Sequence, residues 1–224
     1  MWLTIIVPIF HDDLAVKQLV VELERWGLEH VAVVIVDGEQ RKRPEWLPQN
    51  FHYSNNGVPN RGQQLRLGGS VAQSPKLLFL HADSRFPVGS PLPLLRETTA
   101  KVGFFTLHFN DKSRFFRVIA WGSNLRARKF KLIFGDQGLF VTKAIYEESG
   151  GFPVQPLMED FEFSRRLAKI DSEFIQFPLP ILTSARKYNR EGRFKTFFKM
   201  QCLKLLYLLG FSPTILSRLY YRRR

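Results

Sequence analysis

The stretch "VAVVIVDG", residues 31–38, decides the fold, because six consecutive apolar residues lead directly into an acidic one. A strand with one face in water alternates apolar and polar side chains, whereas a strand covered on both faces is apolar throughout. Covered strands are typical of sheets flanked by helices. The stretch therefore predicts a buried strand over 31–36 of an α/β protein, with Asp37 at the carboxyl end of that strand.

Further strands and helices are predicted around this one. The other strands are "LTIIVPI" (3–9), "FHYS" (51–54), "KLLFLH" (76–81), "VGFFTLHF" (102–109) and the strand-like "GLFVT" (138–142). A helix capped by Asp12 or Asp13 is predicted after the first strand, because Leu19, Val20, Leu23 and Trp26 fall on one face. A second helix is predicted over about 60–72. Helical connections between strands predict parallel neighbours.

Asp83 occupies the same kind of position as Asp37, because it follows the predicted strand in "LLFLHADSRFP" (77–87). In open α/β sheets, ligands bind beyond the carboxyl ends of the strands. An aspartate at a strand end also caps turns, which is a sufficient reason for either residue alone. The two together predict a candidate site at this edge of the sheet.

A second acidic group opens a predicted helix at "MEDFEFSRRL" (158–167), after the glycine-rich "FGDQGLFV" (134–141). Carboxylates in a first helical turn are favoured by the helix dipole, and Glu162 can pair with Arg166 four residues later. A purely structural role and a catalytic role for Glu159 and Asp160 are therefore both open at this point.

The basic residues concentrate at the carboxyl end of the chain. Residues 186–224 carry a net charge of +10 out of the +13 of the whole chain. Phenylalanine and leucine recur among these charges at helical spacing, which predicts an amphipathic helix, a break at Ser212-Pro213 and a second short helix. Such helices pack on the domain, lie on an anionic membrane surface or bind a partner.

Other features bear on location and on the kind of chemistry. The single Cys202, the lack of a secretory signal in "MWLTIIVPIF" and the lack of a long apolar run predict a cytoplasmic protein, soluble or peripheral at the inner face of the membrane. Phosphate-binding glycine loops, zinc-ligand spacings and a nucleophilic serine elbow are absent from the sequence. The candidate chemistry is thereby narrowed to carboxylates, a divalent metal and arginines.

Taken in order, "IIVPIFHDD", "VVIVDGEQ", "LLFLHADSRFP", "FGDQGLFV" and "GGFPVQPLMEDFEFSRRL" resemble the family-two inverting glycosyltransferases of the GT-A fold. The resemblance is greatest to a small bacterial subgroup named for arsenosugar biosynthesis, and it runs from residue 3 to about residue 215. It implies a Rossmann-like GT-A domain over 1–185, with a mixed, mostly parallel sheet flanked by helices, and a basic amphipathic helical extension over 186–224.

The resemblance also implies roles for individual residues. Asp160, preceded by Glu159, matches the catalytic base, and Asp83 matches the last carboxylate of the metal motif. The nucleotide side is matched by Pro8, Asp12, Asp37, Arg61 and His81. The acceptor and diphosphate side is matched by Gly135, Asp136, Gln137 and Arg186.

The sequence departs from the family pattern at several of these motifs. His81 stands where the wider family has the first Asp of the metal motif, although histidine is usual in the subgroup. His11 and Arg66 each stand where the family has Asn, and "DGEQ" replaces the common Asp-Gly-Ser-x-Asp. The departures concern metal affinity, the choice of nucleotide and the sugar-facing loop.

The function implied is the transfer of a sugar from a nucleotide-diphosphate sugar to an acceptor hydroxyl, by metal-assisted single displacement with Mn²⁺ or Mg²⁺. The acceptor is left open between a small molecule, a lipid and a glycan. An anionic membrane surface is a further expected partner, and nucleic acid is not expected. The alternatives are a catalytically weakened GT-A-like protein that binds membrane surfaces and a nucleotidyltransferase.

Overall fold

A computed structural model describes residues 1–55, 58–171 and 173–221. The strands are β1 (Leu3–Ile9), β2 (Val31–Asp37), β3 (His52–Asn55), β4 (Lys76–Phe79), β5 (Val102–Phe109), β6 (Leu139–Thr142) and β7 (Phe174–Thr183). The helices are α1 (Asp13–Arg25), α2 (Arg61–Val71), α3 (Leu92–Glu97), α4 (Arg114–Phe130), α5 (Lys143–Glu148), α6 (Glu159–Ile170), α7 (Arg186–Glu191), α8 (Arg193–Leu208) and α9 (Pro213–Tyr221).

The strands form one sheet in the order β3-β2-β1-β4-β6-β5-β7. The β1 strand is parallel to β2 and β4, and the β2–β3 and β5–β7 pairs are also parallel. The β6 strand lies between β4 and β5 and is antiparallel to both. The predicted α/β class with a mixed, mostly parallel sheet is confirmed.

Both faces of the sheet are covered, as the continuous apolar strands predicted. All seven residues of β1 are buried, and alternate side chains point to opposite faces. Ile5 and Val7 pack in one core cluster with Leu19 of α1, while Ile6 packs in a second cluster with Leu65 of α2.

The helix boundaries show where sequence periodicity was sufficient and where it was not. The α1 helix begins at Asp13 after the N-cap Asp12, and Trp26 lies just beyond its last residue while still packing against the core. The long helix α4 was not predicted. Its buried residues are Phe116, Ala120 and Ala127, so arginines and exposed apolar side chains occupy much of its remaining surface.

The basic carboxyl-terminal segment folds into α7, α8 and α9, and residues 222–224 of the predicted extension lie outside the described residues. Leu203 of α8 and Leu216 of α9 are buried with Met158 and Phe161 in a third apolar cluster. Arg193 also forms an ion pair of 2.9 Å with Asp111. The extension therefore packs on the rest of the chain. Within residues 1–55, 58–171 and 173–221, no helix combines the length and the apolar character needed to cross a bilayer.

Candidate active site

A cleft of about 410 Å³ opens at the carboxyl ends of β1 and β4. It brings together six residues singled out from the sequence, namely Pro8, Asp12, Arg61, His81, Asp83 and Glu159. Met200, Tyr220 and Tyr221, from α8 and α9, also line the cleft. The cleft is therefore formed jointly by the strand ends, the start of α6 and the carboxyl-terminal helices.

Asp160 lies in the first turn of α6, where the helix dipole favours a carboxylate. Its side chain is 15% exposed. One carboxylate oxygen, Oδ2, accepts a hydrogen bond of 3.0 Å from the Gly135 amide and one of 3.3 Å from Arg61. The other oxygen accepts from the Phe161 amide at 2.9 Å. These contacts fix the carboxylate at the edge of the sheet, beside the Gly135–Gln137 turn.

Glu159 is almost fully buried and is ion-paired with Arg61, the first residue of α2. Burial raises the pKa of Glu159, while the Arg61 charge opposes that rise. Burial disfavours the charged form of Arg61, but Glu159 and then Asp160 outweigh that effect and raise its pKa. Arg61 therefore remains a cation that faces both acidic residues of the motif.

His81 lines the cleft together with Asp83, and it also lines a small neighbouring space together with Asp160. Burial and the nearby Arg61 lower the pKa of His81 to about 4, although Asp83 and Asp160 oppose the shift. Its Nε2 lies 3.3 Å from an Arg61 nitrogen, so the neutral ring accepts a hydrogen bond there. A side chain on Gly135 would overlap the imidazole ring, which explains the glycine at that position.

Asp83 projects into the cleft and is partly exposed. Across the described residues no hydrogen bond or ion pair occupies its carboxylate, and no group of three or more His, Cys, Asp or Glu side chains is arranged to hold a metal ion. Mg²⁺ and similar ions bind nucleotide substrates through only one or two carboxylates, with phosphate oxygens and water as the other ligands. The free carboxylate of Asp83 fits a metal site of this type, which the substrate completes.

Asp37 is fully buried and does not line the cleft. Its carboxylate accepts hydrogen bonds from the Glu39 amide at 2.8 Å, Arg41 at 2.7 Å and the Tyr53 hydroxyl at 3.1 Å. Burial, followed by the charge of Asp37, raises the pKa of Tyr53 to about 12. Arg41 also makes two hydrogen bonds to Asp13, of 2.9 and 2.6 Å. Asp37 therefore anchors the loop after β2 in this structure.

Gln64 and Arg41 were not singled out from the sequence, although each holds the edge of the sheet together. The Gln64 amide nitrogen donates hydrogen bonds of 2.8 Å to the carbonyl oxygens of Ile9 and Val36, at the ends of β1 and β2. Gln64 is 3% exposed, so both carbonyls are satisfied away from water. The sequence signal for this role was the presence of a polar residue, Gln64, on the buried face of the predicted second helix.

The residues assigned to the acceptor side lie in different surroundings. Gln137 is fully buried and accepts a hydrogen bond of 2.9 Å from Arg126. Asp136 faces a separate groove beside α4 and α8, and burial raises its pKa. Arg186 does not line the cleft, but it forms a 3.1 Å ion pair with Asp12, which does.

Two of the departures from the family pattern lie outside the cleft lining. Arg66 donates hydrogen bonds of 3.1 Å to the carbonyl oxygens of Gly150 and Phe152, in the segment that precedes α6. His11 is exposed and lies 3.1 Å from the Glu39 carboxylate. Arg66 therefore positions the backbone leading to Glu159.

Met158 adopts a left-handed backbone conformation, with φ of 64°, immediately before Glu159. Such a conformation is unfavourable for a residue other than glycine and is maintained only where the surroundings enforce it. Met158 is buried against Leu203 and Leu216. The carboxyl-terminal helices thus help to hold the start of α6, where Glu159 and Asp160 lie.

Comparison with known proteins gives structural neighbours only. No protein-family model matches the chain, and no curated protein matches it by sequence. Residues 1–349 of Staphylococcus aureus TarS align with a TM-score of 0.62 at 14% identity, covering 83% of this chain and 61% of that one. The same protein in complex with UDP-GlcNAc aligns with a TM-score of 0.61 at 13% identity, covering 82% and 58%.

A third neighbour is the mannosyltransferase PcManGT from Pyrobaculum calidifontis, in complex with GDP-Man and Mn²⁺. It aligns with a TM-score of 0.60 at 15% identity, covering 81% of this chain and 56% of that one. The chain therefore spans about three fifths of each of these three structures. At such low identity the likeness shows the fold, which is GT-A-like as the sequence motifs implied.

Proposed function

We propose that this protein is a nucleotide-sugar-dependent glycosyltransferase in which Asp160 is the general base. The observation that carries the proposal is that His81, at the strand edge of a GT-A-like fold, borders both the cleft that Asp83 lines and the small space that Asp160 lines. The carboxylate of Asp83 has no partner among the described residues, so it is available to a metal ion at the diphosphate end of a donor. The carboxylate of Asp160 is held in place by hydrogen bonds, so it can accept a proton from an acceptor hydroxyl. Uridine and guanosine donors are the first candidates, since TarS and PcManGT were crystallised with UDP-GlcNAc and GDP-Man.

The reaction proposed is a single displacement. The acceptor oxygen attacks the anomeric carbon while the bond from that carbon to the diphosphate oxygen breaks. Asp160 takes the hydroxyl proton, and the nucleoside diphosphate leaves with the bonding electron pair, so the anomeric configuration is inverted. Arg61 and the Gly135 amide hold the Asp160 carboxylate in place for this transfer. Membership of the inverting family-two enzymes, and of the arsenosugar-type subgroup, is part of the same proposal and rests on the quoted motifs.

Asp83 would hold Mn²⁺ or Mg²⁺ together with the diphosphate. When bound, such an ion neutralises the negative charge that develops on the leaving diphosphate. The neutral His81 ring beside it adds no positive charge at this point, so Asp83 and the substrate provide the charged ligands.

The test is release of nucleoside diphosphate from a panel of UDP- and GDP-sugars, with Mn²⁺ and a mixture of hydroxyl acceptors. Asp160→Asn should abolish release while leaving donor binding, measured by thermal shift, in place. Asp171→Asn, at the other end of α6, is the matched control and should retain activity. Asp83→Ala should lose the response to metal. Release that survives Asp160→Asn would refute the assignment of the base.

A second candidate function, binding to an anionic membrane surface, is supported by one face of α8 and by α9. Leu205, Leu208 and Leu209 are 58–67% exposed, and Ile215 and Leu219 are 48% and 43% exposed. Exposed apolar side chains on a strongly basic segment favour an interfacial position at the inner face of the membrane. Flotation with phosphatidylglycerol vesicles should therefore decrease in the variant with Leu205→Ser and Leu209→Ser. Unchanged flotation would contradict this proposal without affecting the catalytic one.

A further inference from the structure

A groove of about 860 Å³ lies between α4 and helices α7 and α8, apart from the cleft. Its walls are largely apolar and include Phe115, Val118, Trp121, Phe194, Phe197 and Phe198. Four of these side chains, Val118, Trp121, Phe194 and Phe198, are 65–68% exposed. Large apolar side chains that are exposed together mark a binding surface, and the volume is that of a pocket for a small organic ligand.

One end of the groove is polar. Asp136, Arg126 and Lys204 line it, and burial lowers the pKa of Lys204 to about 8. The Oδ1 atom of Asp136 is buried and finds no hydrogen-bond donor among the described residues. An unpaired buried carboxylate oxygen is costly, and a hydroxyl group of a ligand would satisfy it.

The polar end of the groove adjoins the candidate base. Gly135, next to Asp136 in the chain, donates its amide hydrogen to Asp160 at 3.0 Å. Phe134 borders the groove and also the small space that contains Asp160 and His81. Phe134 is therefore a wall shared by the groove and by the space beside Asp160.

We propose that the groove binds the apolar chain of the acceptor, which is an alcohol carrying a lipid-type hydrocarbon tail. This inference rests on the proposed function and names the substrate class of the same site. Asp136, Arg126 and Lys204 receive the polar head, and the tail covers the exposed rings of α4 and α8. A water-soluble sugar would leave those rings in water, and a protein surface across the rim would leave Asp136 unpaired.

The test is a series of n-alkyl β-glucosides from methyl to dodecyl, used below their micelle concentrations with the donor at saturation. Each fully buried methylene contributes about a fourfold change in binding at 25 °C. Because the groove is open on one side, kcat/KM should rise by about twofold to fourfold per added methylene until the tail fills the groove. A profile that is flat from methyl to dodecyl would overturn the inference.

Variants at exposed positions separate the groove from general surface hydrophobicity. Phe198→Ser and Val118→Ser should reduce the dependence of kcat/KM on the length of the alkyl chain. Phe130→Ser is the matched control, because Phe130 is 68% exposed, lies at the end of α4 and does not line the groove. Equal effects of Phe198→Ser and Phe130→Ser would overturn the assignment.

Tail binding is also measured without a donor, by titrating dodecyl glucoside and following tryptophan fluorescence. The signal should be lost in Trp121→Phe, since Trp121 is the tryptophan that lines the groove. A fluorescence change that is lost in Trp121→Phe and weakened in Phe198→Ser supports tail binding in the groove. If such binding is seen but no donor is turned over, the catalytic proposal alone is refuted. Turnover of methyl glucoside with neither tail binding nor a chain-length effect overturns the groove alone. If the protein sediments as a dimer that dissociates in Phe198→Ser, and kcat/KM does not depend on the length of the alkyl chain, the groove is a self-association surface. That result also overturns the proposal of tail binding.

Discussion

Replacing Arg61 by methionine should destabilise the protein by leaving a buried carboxylate without its cation. Glu159 has a side chain that is 2% exposed, and Arg61 is its ion-pair partner. Removing one member of a fully buried pair costs about 3–5 kcal/mol. The Arg61 side chain is 42% exposed, so water screens part of the interaction, and a loss of about 2–3 kcal/mol is expected. For a domain of this size, that corresponds to a fall in Tm of about 4–12 °C.

The pH dependence identifies the source of the loss. Burial raises the pKa of Glu159 above its ordinary value of 4.5, and Arg61 restrains that rise, so the pKa rises further without Arg61. A carboxyl group with a raised pKa in the folded state contributes stability below its unfolded pKa and loses it as the pH increases through the folded pKa. The deficit of Arg61→Met should therefore be larger at about pH 7.5 than at about pH 5.

Two further variants make this experiment decisive, with the free energy of unfolding measured by urea denaturation at both pH values. Adding Glu159→Met to Arg61→Met should recover most of the loss, because the unpaired charge is then removed. Arg66→Met, in the same helix, removes hydrogen bonds to two carbonyl oxygens and should show no such pH dependence. A deficit that is independent of pH and is not recovered by Glu159→Met would refute the interpretation of Glu159 as a buried charge held by Arg61.

Three other perturbations test separate parts of the structure. Gly135→Ala should place a methyl group against the His81 ring, lowering stability by about 1–3 kcal/mol by urea denaturation and reducing turnover. Burial and Arg61 lower the pKa of His81 to about 4. The free energy of unfolding of the parent protein, measured by urea denaturation, should therefore decrease as the pH falls from 6.5 towards 4, and His81→Gln should lack the contribution of this histidine to the decrease. Leu203→Ala should cost about 2–5 kcal/mol in thermal unfolding, whereas Leu208→Ala, at an exposed position of the same helix, should change stability by less than about 0.5 kcal/mol.

The sequence was sufficient to locate six of the seven described strands, because buried strand residues are selected for their apolar side chains. The predicted limits of β1 and β5 match the observed ones, β2 extends one residue further, to Asp37, and β4 ends at Phe79 instead of His81. The insertion of β6 between β4 and β5 was not predictable from a short strand-like run, because strand order depends on which edges remain open after the rest has folded. The pattern of apolar residues within one short segment carries no information about the order of the strands.

The surroundings of Asp37 show the corresponding limit for the site. A strand-end aspartate is recognisable in the sequence, but its environment depends on Arg41 and on Tyr53 of the neighbouring strand β3. Together these residues bury the carboxylate, and Arg41 also joins it to Asp13. Whether such an aspartate faces a cleft or anchors a loop is decided by side-chain contacts across the sheet, which residue spacing does not encode.

The carboxyl-terminal helices illustrate why a change in composition is a weak guide to a functional unit. The charge pattern changes near residue 186, yet residues beyond it contribute Met200 and Tyr220 to the cleft and one wall to the groove. Leu203 and Leu216 also bury Met158, whose left-handed backbone leads into Glu159 and Asp160. A perturbation of the α8 packing should therefore reach the candidate base through Met158, whereas a perturbation of the exposed face of α8 should reach only the surfaces proposed for the acceptor tail and the membrane.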